Sequence, residues 1–127
     1  MKRHSADTVL LFSGLDPSGA AGVSADIETI NQFGITPLPI ITTLTVQNTQ
    51  SVIFLEATNN SLIQAQFKSI EEDIDFKVVK IGLLGSSSQI KTIAKLLINR
   101  PDLSIVLDPI IVSSSDIELS TDSMIEA

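Results

Sequence analysis

Short apolar runs alternate with segments of helical periodicity, and this alternation constrains the fold more than any other feature of the sequence. Thr8–Ser13 is a continuous, mostly apolar run closed by Gly14, as expected for a strand buried on both faces. Val23, Ile27 and Ile30 then recur at helical spacing. Strands that alternate with helices of about a dozen residues predict β-α-β units, and hence an α/β fold whose mainly parallel sheet has helices on both faces.

The same alternation continues along the rest of the chain. Further strands are predicted over Pro37–Leu44, Val52–Leu55, Phe76–Ile81 and Ser104–Leu107. Of the two helices between these strands, one is capped by Asn60 or Ser61, and the other begins at Ser86, with Gln89 at capping-box spacing. Lys80 lies inside a buried strand, so its side chain is expected to snorkel or to form an ion pair.

Composition limits the classes of function. The chain has 127 residues, of which 43% are hydrophobic, and a net charge of −7. This apolar content excludes a disordered chain, and the acidic balance argues against nucleic acid or an anionic membrane as the main partner, since both require a basic surface. No apolar run approaches the roughly 18 residues of a membrane span, and no secretory signal is recognisable, so a cytoplasmic protein is expected. The absence of cysteine excludes disulfides and a thiol nucleophile.

The residues that follow each predicted strand are the candidates for ligand binding, because ligands of parallel sheets bind beyond the carboxyl ends of the strands. The segment 14–22 after the first strand is rich in small residues, which allow the backbone to approach a ligand. The helix that follows offers unpaired N–H groups that favour an anion. The segment has neither the lysine of a Walker A loop nor the G-x-G-x-x-G spacing, so a plain small-residue turn fits it equally well.

Four polar residues can also carry chemistry. Asp26 lies one turn into the first helix, away from its apolar stripe, where an acid either compensates the helix dipole or contacts a ligand. Gln47 and Asn48 follow a strand, and their amides suit either the edge of a heterocycle or an ordinary turn. Asp108 precedes Pro109 at the end of a strand, where a carboxylate serves either a metal or a turn.

Taken in this order and at nearly constant spacing, these segments resemble the hydroxymethylpyrimidine/phosphomethylpyrimidine kinases of the ribokinase-like superfamily. The resemblance extends from about Val9 to about Val112. It rests on four segments, which are Ser13–Gly22 with Ala25 and Asp26, Thr45–Gln50, Lys80–Ser86 and Leu107–Pro109.

The resemblance implies transfer of phosphate from ATP, with Mg²⁺, to the hydroxymethyl group of the aminopyrimidine precursor of thiamine, and then to the monophosphate formed. By position, it implies that Gly14 places its backbone against the pyrimidine and that Gln47 reads the amino and nitrogen edge of the ring. It also places Asp26 near the pyrimidine. A small-molecule aminopyrimidine is therefore the expected partner.

The resemblance further implies that Leu83 and Ile110 form apolar walls and that Asp108 lies on the phosphate and metal side. The sequence departs from the family pattern at Ala20, where relatives have a second glycine. It departs again at Ser113–Asp116, where relatives have a small residue, a Lys or Thr and a Gly.

Length is the largest departure, since members of the family are about twice as long. Their second half carries the catalytic cysteine and most of the nucleotide site, so residues 1–127 correspond to one partial domain, the substrate-side half, without a catalytic residue. We therefore expect the isolated chain to be inactive.

Its uncovered sheet edge predicts self-association or marginal stability. A non-catalytic pyrimidine-binding or interaction module and a pyridoxal-type kinase are the alternatives.

Overall fold

The chain folds around one five-stranded sheet. The structure is a computed structural model that describes residues 7–110 and 122–127. In chain order its elements are β1 (Thr8–Leu15), α1 (Gly22–Gln32), β2 (Thr36–Gln47), β3 (Val52–Ala57), α2 (Asn60–Asp73), β4 (Val78–Ile81), α3 (Ser87–Ile98), β5 (Ser104–Leu107) and α4 (Asp122–Glu126). The strand order is β3-β2-β1-β4-β5, and only β3 runs antiparallel to its neighbour, β2. The predicted mainly parallel sheet is confirmed.

The central strand β1 has a helix layer on each of its faces. Leu10 and Phe12 are fully buried in the main core, where the ring of Phe12 stacks on that of Phe67 from α2 with centroids 6.2 Å apart. Side chains alternate along a strand, so Ser13 points to the opposite face. There its hydroxyl donates a hydrogen bond to Asp26 of α1. Helices therefore cover both faces, as predicted.

Several predicted boundaries are wrong by a few residues. β1 ends at Leu15 rather than Ser13, β3 ends at Ala57 rather than Leu55, and β4 begins at Val78 rather than Phe76. Gln47 is the last residue of β2 and does not follow the strand, because β2 continues beyond Leu44 to pair with β3. The N-cap of α2 is Asn59 rather than Asn60 or Ser61. Asn59 has non-helical backbone angles, and its side-chain oxygen accepts a hydrogen bond from Ser61 N at 2.8 Å, which is the geometry of an N-cap.

The last strand leaves apolar surface exposed. Ile105, Val106 and Leu107 of β5 are 49%, 56% and 61% exposed, and within the described residues β5 pairs with β4 alone. This uncovered strand is the physical basis of the expected self-association, which stays a prediction.

The departure from the family pattern at 113–116 lies outside the described residues. Among the described helices, none has the length and apolar character needed to cross a bilayer.

Candidate ligand-binding site

A cavity of about 310 Å³ lies at the carboxyl ends of the parallel strands. Its walls come from the β1–α1 connection, the end of β2 and the segments that follow β4 and β5. Six of the residues that the sequence singled out line this one cavity, namely Gly14, Asp26, Gln47, Leu83, Asp108 and Ile110. Asn48 does not, and its side-chain oxygen accepts from Gln50 N and Ser51 N at 2.8 and 2.9 Å, as in an ordinary turn. The topology thus brings together residues that are up to 96 positions apart, from Gly14 to Ile110 (110 − 14).

The β1–α1 connection is held in shape by the side chain of Asp16. Asp16 is only 4% exposed; one carboxylate oxygen accepts hydrogen bonds from the N–H and hydroxyl of Ser18, at 2.8 and 2.7 Å, and the other accepts from Ala21 N at 3.0 Å. These hydrogen bonds within the connection therefore stabilise its conformation. The sequence analysis did not assign this role to Asp16, although an aspartate two residues before a serine is a typical Asx-turn signal.

Gly22 brings the start of α1 close to β1. Its φ is +64°, and it forms an isolated bridge with Leu15. A Cβ at this position would lie 2.3 Å from the carbonyl oxygen of Gly14, which is much closer than real atoms approach. The absence of a side chain at Gly22 thus sets the distance between the helix and the strand that borders the cavity.

The amide of Gln47 is held at the cavity by Thr45. The hydroxyl oxygen of Thr45 lies 2.8 Å from Gln47 Oε1 and 2.8 Å from the carbonyl oxygen of Leu15. A hydroxyl donates only one proton but also accepts, so it can pair with either end of a primary amide. Thr45 therefore fixes the place of the Gln47 amide. Because the carbonyl oxygen of Leu15 can only accept, the hydroxyl makes both contacts fully only when the amide turns its NH2 group toward Thr45.

Asp26 forms an ion pair with Lys80 at the cavity wall. Lys80 Nζ lies 3.0 and 2.9 Å from the two carboxylate oxygens, and Ser13 Oγ donates to Oδ2 at 2.7 Å. The side chains of Lys80 and Asp26 are 23% and 19% exposed. Lys80 thus forms the ion pair that was one of its two expected arrangements. Asp26 lies beyond the first turn of α1, so compensation of the helix dipole does not account for it.

The loop that carries Leu83 is anchored to β2 by buried polar contacts. Thr42 Oγ1 donates to the carbonyl oxygen of Leu83. Gln89, which is fully buried, accepts from Gly85 N at 2.7 Å and donates to Thr42 O at 2.7 Å and to Thr58 O at 3.2 Å.

Only half of the predicted capping box forms at the start of α3. Ser86 Oγ accepts from Gln89 N at 3.1 Å, but the Gln89 side chain turns into the protein instead of back to Ser86. The capping spacing identified the position of Gln89, whereas its long-range partners have no local signal in the sequence.

Leu83 packs against the backbone of Gly14. A Cβ placed on Gly14 would lie 3.1 Å from Leu83 Cδ2, so the glycine leaves room for the leucine side chain. This contact joins the β1 side of the cavity to the loop after β4.

Asp108 supplies one carboxylate at the opposite side of the cavity. It is exposed, and its N–H donates to Ile81 O at 2.9 Å. Among the described residues there is no group of three or more acids, histidines or cysteines arranged to hold a metal. Magnesium is commonly held by one or two carboxylates together with substrate phosphates. Asp108 fits that requirement only in part, as a single ligand beside a phosphorylated substrate.

The fold is similar to that of solved kinases of the ribokinase-like class. Residues 16–127 match the phosphomethylpyrimidine kinase family, and the chain belongs to this family.

Known proteins share this arrangement over about half of their length. The chain is 38% identical over 117 residues to the hydroxymethylpyrimidine/phosphomethylpyrimidine kinase of Aquifex aeolicus, covering 92% of this chain and 46% of the relative. It is 33% identical to the phosphomethylpyrimidine kinase crystal structure from Clostridium difficile, with a TM-score of 0.86 and coverage of 94% and 52%. An ADP complex of Bacillus subtilis pyridoxal kinase is 25% identical with a TM-score of 0.74, over 84% of this chain and 42% of that one. The chain thus spans about half the length of the relatives it matches.

Proposed function

We propose that the cavity binds 4-amino-5-hydroxymethyl-2-methylpyrimidine and forms the substrate side of a kinase that phosphorylates this compound and its monophosphate with ATP and Mg²⁺. The observation that carries the proposal is the convergence of Gly14, Gln47 and Leu83 on one cavity at the strand ends. Membership of the phosphomethylpyrimidine kinase family supports the substrate class.

In this proposal each side of the cavity recognises a different part of the pyrimidine. The Gln47 amide pairs with the amino group and the neighbouring ring nitrogen, because a primary amide supplies one acceptor and one donor side by side. Gly14 offers backbone to the face or edge of the ring, and Leu83 and Ile110 contact its apolar surface. Asp108 lies where phosphate and Mg²⁺ would be held, and the ion supplies charge stabilisation during phosphoryl transfer.

Replacing Gln47 by leucine is expected to weaken binding of 4-amino-5-hydroxymethyl-2-methylpyrimidine about 30- to 150-fold, since two neutral hydrogen bonds contribute about 1–1.5 kcal/mol each. Isothermal titration calorimetry of the wild-type chain and Q47L measures the effect. The matched control is Gln64→Leu, the same change at an exposed position of α2, and it should leave the dissociation constant unchanged. Equal affinities of Q47L and the wild type would contradict the proposed contact.

The 127-residue polypeptide on its own is expected not to transfer phosphate from ATP. Phosphoryl transfer depends on precise positioning and on charge stabilisation around the transferred group. The described residues offer a single carboxylate, Asp108, on that side of the cavity. A coupled assay for ADP formation, with the pyrimidine and MgATP, should give no rate above the enzyme-free blank. Substrate-dependent turnover by the purified chain would show that this expectation is wrong.

Two other functions can be distinguished from the proposed one by experiment. The likeness to Bacillus subtilis pyridoxal kinase favours pyridoxal as the second candidate ligand. Tighter binding of pyridoxal than of the aminopyrimidine would favour a pyridoxal-type kinase. A non-catalytic pyrimidine-binding module shares the binding result, and it differs in that adding the C-terminal half of a family member would not restore phosphoryl transfer.

A further inference from the structure

Val52 lines the cavity, and the proposed function leaves it without a role. It is the first residue of β3, and among the described residues of the cavity wall it is the only one from that strand. The end of the neighbouring strand β2 contributes Thr45 and Gln47, which are both polar. Val52 therefore supplies an apolar part of the wall beside the Gln47 amide.

An irregularity in the pairing of β2 with β3 sets the direction of the Val52 side chain. Gln47 lies opposite Val52 in the antiparallel ladder. The preceding pair is Val46 with Phe54, so the ladder skips Ile53, and such an extra residue re-aims the side chains beside it. Directly opposed residues of an antiparallel pair project to the same face, so Val52 shares the cavity face of Gln47. Val52 is half-buried, whereas the skipped Ile53 is 71% exposed.

The turn between Gln47 and Val52 is closed by Asn48. Its N–H donates to Ser51 O at 3.0 Å, and its side-chain oxygen accepts from two backbone N–H groups of the turn. These hydrogen bonds fix the start of β3 relative to the end of β2. The amide of Gln47 and the side chain of Val52 therefore form a preformed corner of the cavity.

The strand order places Val52 and Asp108 at opposite ends of the cavity. Val52 lies on β3 and Asp108 directly follows β5, and these are the first and last strands of the order β3-β2-β1-β4-β5. Gln47 on β2 and Gly14 on β1 lie between them. A ligand that contacts Gln47 and reaches towards Asp108 thus has its far end at β3.

The pyrimidine carries its two carbon substituents on opposite sides of the ring. The hydroxymethyl group at C5 and the methyl group at C2 are para to each other, and the C4 amino group and N3 form the edge between them. In the proposed function Gln47 pairs with that edge, and the hydroxymethyl group, which receives the phosphate, points towards Asp108. The C2 methyl group must then point the other way, towards Val52.

We propose that Val52 is a specificity-determining residue, which forms the apolar contact for the C2 methyl group and limits the size of the substituent at C2. The proposal rests on the pyrimidine function proposed above. Contact with valine removes a methyl group from water, and the same side chain blocks a longer substituent. The cavity therefore selects methyl over hydrogen by apolar burial and methyl over ethyl by steric exclusion.

The test uses three 4-amino-5-hydroxymethylpyrimidines that carry hydrogen, methyl or ethyl at C2. Each is titrated calorimetrically into the wild type, Val52→Ala and a matched control, Val46→Ala. Val46 belongs to the same pair of strands, but it is 52% exposed, projects to the opposite face from Gln47 and does not line the cavity. The readouts are two ratios of dissociation constants, hydrogen to methyl and ethyl to methyl. Comparing these ratios between variants cancels the differences between the ligands themselves.

The wild type should bind the methyl compound about fourfold more tightly than the hydrogen compound, which is the effect of burying one methyl group. It should bind the methyl compound about tenfold more tightly than the ethyl compound. V52A should reduce the first preference to less than about twofold, because the methyl group loses its contact. It should also bind the ethyl compound at least as tightly as the methyl compound. V46A should keep both wild-type ratios.

The two proposals fail in different ways. Ratios in V52A equal to those of the wild type, or a wild type that binds all three compounds equally, would overturn the role of Val52 while leaving the pyrimidine function intact. If the wild type bound none of the three, the proposed function would fail, and this inference with it.

A loss of structure cannot imitate the expected result, since a less stable variant loses affinity for all three ligands by the same factor. If circular dichroism shows that V52A is unfolded, Val52→Thr replaces it, because threonine keeps the size of valine and exchanges one methyl group for a hydroxyl. V52T should still exclude the ethyl compound, but it should lower the preference for methyl over hydrogen to less than about twofold. A full wild-type preference in V52T would contradict the proposal.

Discussion

Gly22→Ala is expected to destabilise the chain by more than about 3 kcal/mol, which is at the upper end of single substitutions. An alanine would have to adopt a φ of +64°, which costs an L-residue about 1–2 kcal/mol. Its Cβ would also lie 2.3 Å from Gly14 O, a backbone atom of the central strand that has little freedom to move. Urea unfolding followed by circular dichroism measures the loss of free energy of unfolding.

The matched control for this prediction is Gly19→Ala in the same loop. Gly19 has a similar φ of +77°, but an added Cβ would meet no atom within 4 Å. G19A should therefore lose only the conformational contribution, about 1 kcal/mol. The difference between the two variants isolates the steric contact with Gly14. Equal losses in G19A and G22A would show that this contact does not restrain the β1–α1 connection.

Gln89→Leu is expected to cost about 2–4 kcal/mol, because it removes the hydrogen bonds that the side-chain amide makes with partly buried backbone groups. Gly85 N and Thr58 O lose contacts of 2.7 and 3.2 Å, and Thr42 O keeps only the hydrogen bond from Thr58 N at 2.8 Å. Leucine has nearly the same volume, so the loss reports the hydrogen bonds rather than a cavity. The measurement is again the free energy of unfolding in urea.

Gln89→Leu should also weaken pyrimidine binding, since Gln89 anchors the loop that carries Leu83. The control is Gln64→Leu, the same change at an exposed helical position, which should alter stability by no more than about 0.5 kcal/mol. A Q89L chain as stable as Q64L would show that the buried amide is not needed to satisfy these backbone groups.

The strands and helices could be predicted because their signals are local. Ser104–Leu107 forms a strand with the predicted ends. The helical spacing of Val23, Ile27 and Ile30 correctly predicted α1. The antiparallel addition of β3 and the extension of β2 to Gln47 were not predicted, because they depend on pairing between two strands rather than on periodicity within one.

The site could be predicted only as a set of positions. Gly14, Gln47 and Asp108 were found because strand ends meet at one edge of a parallel sheet. The pairing of Asp26 with Lys80, across 54 positions, joins α1, which packs on β1 and β2, to the strand β4 and has no pattern within either segment. Their roles in binding remain proposals, since location in a cavity does not by itself identify the ligand.

The most direct test of the account is a titration of the ¹⁵N-labelled chain with 4-amino-5-hydroxymethyl-2-methylpyrimidine, followed by amide chemical shifts. The account predicts saturable shifts concentrated at the cavity, at Gly14, Gln47 and Leu83, with the exposed face of α2 unchanged. Q47L under the same conditions should show these shifts only at much higher ligand concentration. The absence of saturable shifts in the folded wild-type chain, or shifts that map away from the cavity, would contradict the assignment of this site to the pyrimidine.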